Sequence, residues 1–308
     1  MRELKLNLGT FTRPVVLDVA RRDGALAAAG IVVHETPVTS SPAQFTSLDA
    51  GQYDLVFTSP DNIIAYRLVH DNPLGRLLPV EIIAAIDRGL GLSLCLAPDV
   101  ATLEQARGHD LGVDVPTSGF AFVAYELLAR AGLMPGDYSL ATLGATPRRA
   151  EALAEGSCAV TILNAGNELR ALAQGCHVHS TVADLGPYLG TVIARLATED
   201  PTREDDHRRF VDVMQQTVEN ILTGQREEAV IESAMELLGL DESEAKRHYE
   251  ILLDPAHGYI GAPRDERAAL ATLLELRRRY LPSADLDGAE ERFSDFIAGE
   301  LLGSGRRR

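Results

Sequence analysis

Four short stretches of this 308-residue chain place hydroxyl, amide or guanidinium groups where an apolar strand gives way to a helical pattern. They are Thr10-Phe11-Thr12-Arg13, Ser59-Pro60-Asp61-Asn62, Thr117-Ser118-Gly119-Phe120, and the run "NAGN" that holds Asn164 and Asn167. A helix start leaves backbone N–H groups without intrahelical partners and carries the positive end of the helix dipole. With polar side chains around it, such a start suits an anion or a polar ligand. The same residue types also make plain caps. Ser59 reads as an N-cap with Pro60 as the first helical residue, and Thr117, Ser118 and Asn164 admit the same reading. Arg13 offers a planar fork that matches a carboxylate or sulfonate, or is simply a surface residue beside Pro14. Phe11 offers an apolar wall to a ligand, or packs in the core.

Asp87 and Arg88, in "AIDRGLG", are a charged pair that suits a zwitterion or acid–base work, or else a solvated turn between glycines. His177 and His179 alternate onto one strand face in "CHVH", but no further zinc ligand follows at a usable spacing. Neither a metal nor a cofactor is expected. No G-x-S-x-G, P-loop or G-x-G-x-x-G motif occurs, so no nucleophile or nucleotide cradle can be assigned. Cys95, Cys158 and Cys176 have no framework spacing and read as unpaired thiols.

The chain is 45% hydrophobic and 24% charged, as globular proteins are, and its formal charge is −16. That field disfavours nucleic acid and anionic lipid as partners, although a local cleft can still be positive. No apolar run reaches the roughly 18 residues of a membrane span, so membrane insertion is not expected. "MRELKLNLGTF" enters a strand with no apolar export signal before it. The expectation is a cytoplasmic protein as written, and a periplasmic or extracellular one if a signal was removed.

These candidates need elements to position them. Residues 4–200 alternate short apolar strands with amphipathic helices, an α/β pattern. A strand over 4–9, one helix over 13–30, a strand over 31–38, a helix over 40–51 and a strand over 53–59 lead to the helix at Pro60. For the helix of 40–51 the pattern predicts Ser41 as N-cap with Gln44 completing a capping box. A second unit over 111–175 repeats the plan. Shifted by 105 positions, Ser41-Pro42 meets Thr146-Pro147, Leu48 meets Leu153 and Gly51 meets Gly156. Leu55 meets Val160, Ser59 meets Asn164, Asn62 meets Asn167 and, earlier, Thr12 meets Thr117. Equal order and spacing imply two similar lobes whose helix starts face one shared cleft. The expected division is lobe one from 1–91 plus about 187–308, and lobe two from 92–186. From about 203 onward the pattern is helical, with helices near 203–224, 225–238, 241–252, 264–280 and 288–302 and a frayed tail over 303–308.

The phrases "DLVFTSPDNIIAYR" and "GVDVPTSGFAFVAYELLARAGL", with the element order over roughly 4–250, resemble the ABC-importer substrate-binding proteins for nitrate, sulfonates, taurine and thiamine-pyrimidine precursors. The resemblance implies a two-lobed type II periplasmic-binding-protein-like fold with an interlobe ligand cleft, hinge closure, a helical C-terminal region and, if exported, an ABC permease partner. It implies a small polar or anionic organic ligand, sulfonate, carboxylate or pyrimidine-like. The missing signal departs from that pattern. It keeps open a cytoplasmic enzyme on the same fold, a lyase or decarboxylase on a small carboxylate, with Asp61, Asp87 and Arg88 as first suspects. It also keeps open a ligand sensor acting through the face of 264–302.

Overall fold

The computed structural model describes residues 2–262 and 264–302; the tail of 303–308 lies outside them. The first unit runs β1 (Leu4–Thr10), α1 (Val15–Arg22), α2 (Ala25–Ala28), β2 (Ile31–Pro37), α3 (Ser41–Asp49), β3 (Leu55–Thr58), α4 (Pro60–Leu68) and β4 (Val80–Ala85). The second runs β5 (Ser93–Leu96), β6 (Asp110–Val113), α5 (Gly119–Arg130), β7 (Ser139–Thr142), α6 (Thr146–Ala154), β8 (Val160–Leu163), α7 (Asn167–Ala173) and β9 (His177–Thr181). Then β10 (Val192–Leu196) leads to α8 (Pro201–Leu222), α9 (Glu227–Leu238), α10 (Glu242–Leu253) and α11 (Arg267–Tyr280).

Two five-stranded sheets result, ordered β2-β1-β3-β10-β4 and β7-β6-β8-β5-β9. In the first, β1 pairs in parallel with β2 and β3, and in the second β6 pairs in parallel with β7 and β8, as alternation with crossover helices requires. The fourth place in each order goes to a strand from the other end of the chain crossing, β10 in the first sheet and β5 in the second. Both are antiparallel to their neighbours. The chain therefore crosses between lobes twice, after β4 and before β10. The shift of 105 positions is visible in the elements: α3 and α6 each have nine residues, β3 and β8 each have four, and their bounds coincide under it.

Three local expectations are corrected. The helix expected over 13–30 is broken into α1 and α2 by Gly24, whose φ of +71° is a left-handed turn that a helix interior does not contain. The N-cap of α3 is Ser40, whose hydroxyl accepts the Ala43 amide, so Pro42 sits one place further in and Gln44 is no capping-box residue. The helix expected over 288–302 is a pair of tight turns around an extended contact. There the Ile82 amide donates to the Phe296 carbonyl and the Ala298 amide to the Ile82 carbonyl, so this segment borders β4. Phe293 and Phe296, buried at spacing three, anchor it.

α8 buries Phe210, Val211, Met214, Val218 and Ile221 along one face against the first sheet. One apolar cluster spans both sheets, with Val56, Val80 and Ala194 from the first and Leu94, Leu111 and Ile162 from the second. Phe122 of α5 and Leu270 and Leu273 of α11 belong to it too. None of the described helices is long and apolar enough to cross a membrane.

Candidate functional site

Between the lobes lies a cavity of about 150 Å³. Five of the described helices begin in its wall: α1 at Pro14–Val16, α3 at Ser40 and Ser41, α4 at Ser59, α5 at Ser118–Phe120 and α6 at Ala145 and Thr146. The geometry follows from the topology, because strands β1, β3, β6, β7 and β8 end here and the helices that follow them or flank them start here. Ser59 caps α4 by accepting the Asp61 amide at 3.3 Å, and Ser118 caps α5 by accepting the Ala121 amide at 3.0 Å. Among the described residues the amides of Gly119 and Phe120 have no acceptor, so their N–H groups remain available at the cavity wall.

Arg149, which the sequence reading did not single out, lies in this wall with 1% exposure. Its Nη1 donates to the Gly144 carbonyl at 2.7 Å, and its Nη2 to the Thr146 hydroxyl and the Ile162 carbonyl at 3.1 Å each. Its Nε reaches the same Ile162 carbonyl at 3.4 Å. All of these acceptors are neutral, and among the described residues no carboxylate forms an ion pair with this guanidinium. Burial pulls its pKa below the usual arginine range, while Asp114 pushes the other way; the group remains a cation at neutral pH. The shift of 105 was the signal that could have found it. Gln44, its counterpart, is fully buried and donates to the Gly9 and Phe57 carbonyls at 3.0 and 3.1 Å, and Phe57 is the counterpart of Ile162. Both side chains tie a helix to the end of the third strand, and only the second brings a charge.

Of the residues singled out in the sequence, Phe11, Thr12, Arg13, Ser59, Asn62, Asp87, Ser118, Gly119, Phe120 and Asn164 lie in the cavity wall. Arg13 is half exposed and its Nε stands 3.6 Å from Glu35. Asn62 donates to the Thr58 hydroxyl at 3.0 Å. Asn164 is not the cap of α7; that place belongs to Gly166, and the Asn164 side chain donates to the Gly89 carbonyl at 3.1 Å. Asp87 is 1% exposed. Burial pushes its carboxyl up to about 6, against the pull of the Thr191 hydroxyl and the Gly89 and Thr191 amides.

The other five are not in that wall. Thr10 donates to Glu35 at 2.8 Å. Asp61 is buried and accepts two bonds of 2.7 Å from Arg277 of α11. Arg88 donates to both carboxylate oxygens of buried Glu266, at 3.0 and 2.8 Å. Thr117 is exposed beside the cap Ser118. Asn167 is buried and donates to the Asn164 carbonyl at 2.9 Å. The His177 ring nitrogen Nε2 lies 2.6 Å from the Val100 carbonyl, and His179 is exposed. The C-terminal helices add Leu238 and His248 to the wall, and Tyr259 adds its ring. The Tyr259 hydroxyl accepts the Val16 amide at 3.1 Å, which satisfies one N–H of α1.

No family model and no curated sequence matches this chain. Solved structures do. The alkanesulfonate-binding protein SsuA of Xanthomonas axonopodis pv. citri, bound to MOPS, superposes with a TM-score of 0.74 at 14% identity, over 94% of this chain and 99% of its own. The periplasmic nitrate-binding protein NrtA of Synechocystis PCC 6803 gives 0.76 at 14% identity, over 97% and 87%. A Candida albicans protein that defines a new family with the generic periplasmic binding protein fold gives 0.71 at 13% identity, over 97% and 96%. At such identities the fold is what is shared: this chain has the two-lobed type II periplasmic-binding-protein fold of ABC-import substrate-binding proteins of the nitrate and sulfonate type.

Proposed function

We propose that this protein binds a small organic anion, a sulfonate or a carboxylate, in the cavity between its lobes, and acts as a solute-binding protein. The observation that carries the reading is Arg149. A guanidinium held at 1% exposure, bonded only to neutral acceptors and acted on by Asp114 without an ion pair among the described residues, is a buried charge only partly compensated, which proteins ordinarily neutralise. A ligand anion supplies the missing charge. The helix starts that surround it act in the same sense through their positive dipole ends, and α5 also through the free amides of Gly119 and Phe120. SsuA and NrtA, named for an alkanesulfonate and nitrate, support the charge class without naming the ligand. The lobe boundaries belong to this reading too: 1–91 with about 187–308, and 92–186. If the chain is exported, an ABC permease is the partner that would receive its ligand. Two of the residues that would serve an enzyme, Asp61 and Arg88, are tied to Arg277 and Glu266 instead.

The test is calorimetric titration with ethanesulfonate and acetate, beside the Arg149→Gln variant. Gln reproduces what Gln44 does in the first repeat, so the helix tie to the third strand survives without the charge. A charge-assisted hydrogen bond contributes about 1.5–3 kcal/mol, so the expected loss of affinity is roughly 10- to 100-fold, at an unfolding temperature near that of the wild type. Equal affinity in the two proteins would show that Arg149 is not the anion's partner.

A further inference from the structure

The wall that holds Arg149 also holds a carboxyl, Asp87, and an entering anion shares the cavity with it. Asp87 stands where the chain first crosses between lobes. Its Oδ1 accepts the Gly89 amide at 2.8 Å and the Thr191 amide at 3.1 Å, one from each crossing segment. Oδ2 is buried and has no hydrogen-bond partner among the described residues. The neighbouring cation Arg88 lowers the carboxyl's pKa from a distance, but its own bonds go to Glu266 and the Tyr188 carbonyl. The Tyr188 and Tyr259 hydroxyls lie in the field of Asp87. The first has no partner among the described residues, and the second accepts the Val16 amide. The other charged or titratable groups in the wall are Arg13, which faces Glu35; Asp114, which accepts the Ser118 hydroxyl; Arg149; and His248, whose ring burial keeps neutral.

Two negative charges in one small, enclosed space repel, and a proton on the weaker acid removes the repulsion. A protonated Asp87 still offers Oδ1 to the two amides, while Oδ2 becomes an O–H donor. The wall group that opposed the anion then binds it. We infer that the anion enters together with one proton, taken from solvent, and that Asp87 holds that proton on Oδ2. The inference rests on the anion reading above. Burial already raises this carboxyl to about 6 in the empty cavity, so the protonated form is within easy reach at neutral pH. An anion beside it raises it further. Binding is therefore strongest below about pH 6 and weakens as pH rises above that value.

Calorimetric titration with ethanesulfonate tests this, because a sulfonate stays ionised throughout and any proton taken up is held by the protein. Tris and imidazole serve as buffers, since neither is an anion and their ionisation heats differ. At pH 7.5 the two heats should differ by the ionisation of about one buffer molecule per ethanesulfonate bound. From pH 5.5 to pH 7.5 the affinity should fall about 25-fold. Asp87→Asn places an N–H where the protonated acid has its O–H and keeps an oxygen for the Gly89 and Thr191 amides. It should bind with no such pH dependence and, at pH 7.5, roughly tenfold or more tightly than the wild type. A thermal melt confirms that the variant folds, and the wild-type heats decide the matter by themselves if it does not. Binding with no proton uptake and with an affinity flat in pH overturns the inference and leaves the anion reading standing, as does a pH dependence that survives in Asp87→Asn. If ethanesulfonate binds at neither pH, the anion reading falls and takes this inference with it.

Discussion

Gln44 and Arg149 do the same structural work at matching places, yet only one brings a charge to a ligand cavity. In the sequence Gln44 looked like a capping-box partner, because Ser-x-x-Gln before an apolar run is the pattern for one. Nothing in the pattern separates a glutamine that turns back to a cap from one that points inward to a carbonyl. Arg149 stands beside Arg148 in a polar run, and nothing in that run singles it out. Ser59 and Ser118 were legible because a cap acts on its own helix and needs no distant partner. Asp61 and Arg88 were misleading for the opposite reason: their partners, Arg277 and Glu266, are far along the chain. Glu168 gives a further prediction at this scale. It is buried, its Oε2 has no partner among the described residues, and burial pushes its pKa up to about 8 from 4.5. A carboxyl raised in the folded state is neutral there while the unfolded chain already ionises, so stability falls as pH rises from about 4.5 to 8. Glu168→Gln removes that dependence and keeps an oxygen for the Gly166 amide. Thermal melts should therefore show the variant gaining on the wild type, by several degrees, between pH 5 and pH 8.5. A constant difference across that range would refute the assignment.

At the scale of elements, α11 is the clasp between lobes. Its Arg277 donates to Asp61 at the start of α4, and the same guanidinium lies 5.3 Å from the ring centre of Phe122 in α5. One turn on, Arg279 and Tyr280 donate to Glu126 of α5 at 2.7 and 2.9 Å. The two helix starts touch beneath this clasp. A Cβ on Gly119 would come within 2.7 Å of the Asp61 side chain, so the approach requires glycine there. Removing one partner of a buried ion pair destabilises by about 3–5 kcal/mol because it strands the other charge. Arg277→Met should therefore lower stability by that order in chemical denaturation and, by small-angle scattering, enlarge the radius of gyration of the ligand-free protein. A variant as compact and as stable as the wild type would deny α11 this role. The sequence showed that α11 exists, from its helical apolar spacing, but not what it joins, since Arg277 reaches a residue 216 positions away. The segment after it was read as helix from the pattern of the chain, whereas its backbone turns out to border β4.

For the whole molecule, the two-lobed plan was legible because it is written twice, and two copies of one spacing are harder to mistake than one. The elements that matched under the shift of 105 are those with no insertion between them, α3 with β3 and α6 with β8. The swapped strands β5 and β10 were expected from the crossing segments, while their place in the sheets emerged only from pairing. Net charge told little about the site. A chain of formal charge −16 gathers five helix starts and the buried Arg149 where its lobes meet, beside the carboxyls of Asp87 and Asp114. The most direct test of that account is a crystal structure with ethanesulfonate bound. The account places the sulfonate between the lobes, within hydrogen-bond distance of the Arg149 guanidinium and of the free amides at the start of α5. A sulfonate bound at full occupancy elsewhere, with this cavity holding only water, would contradict it.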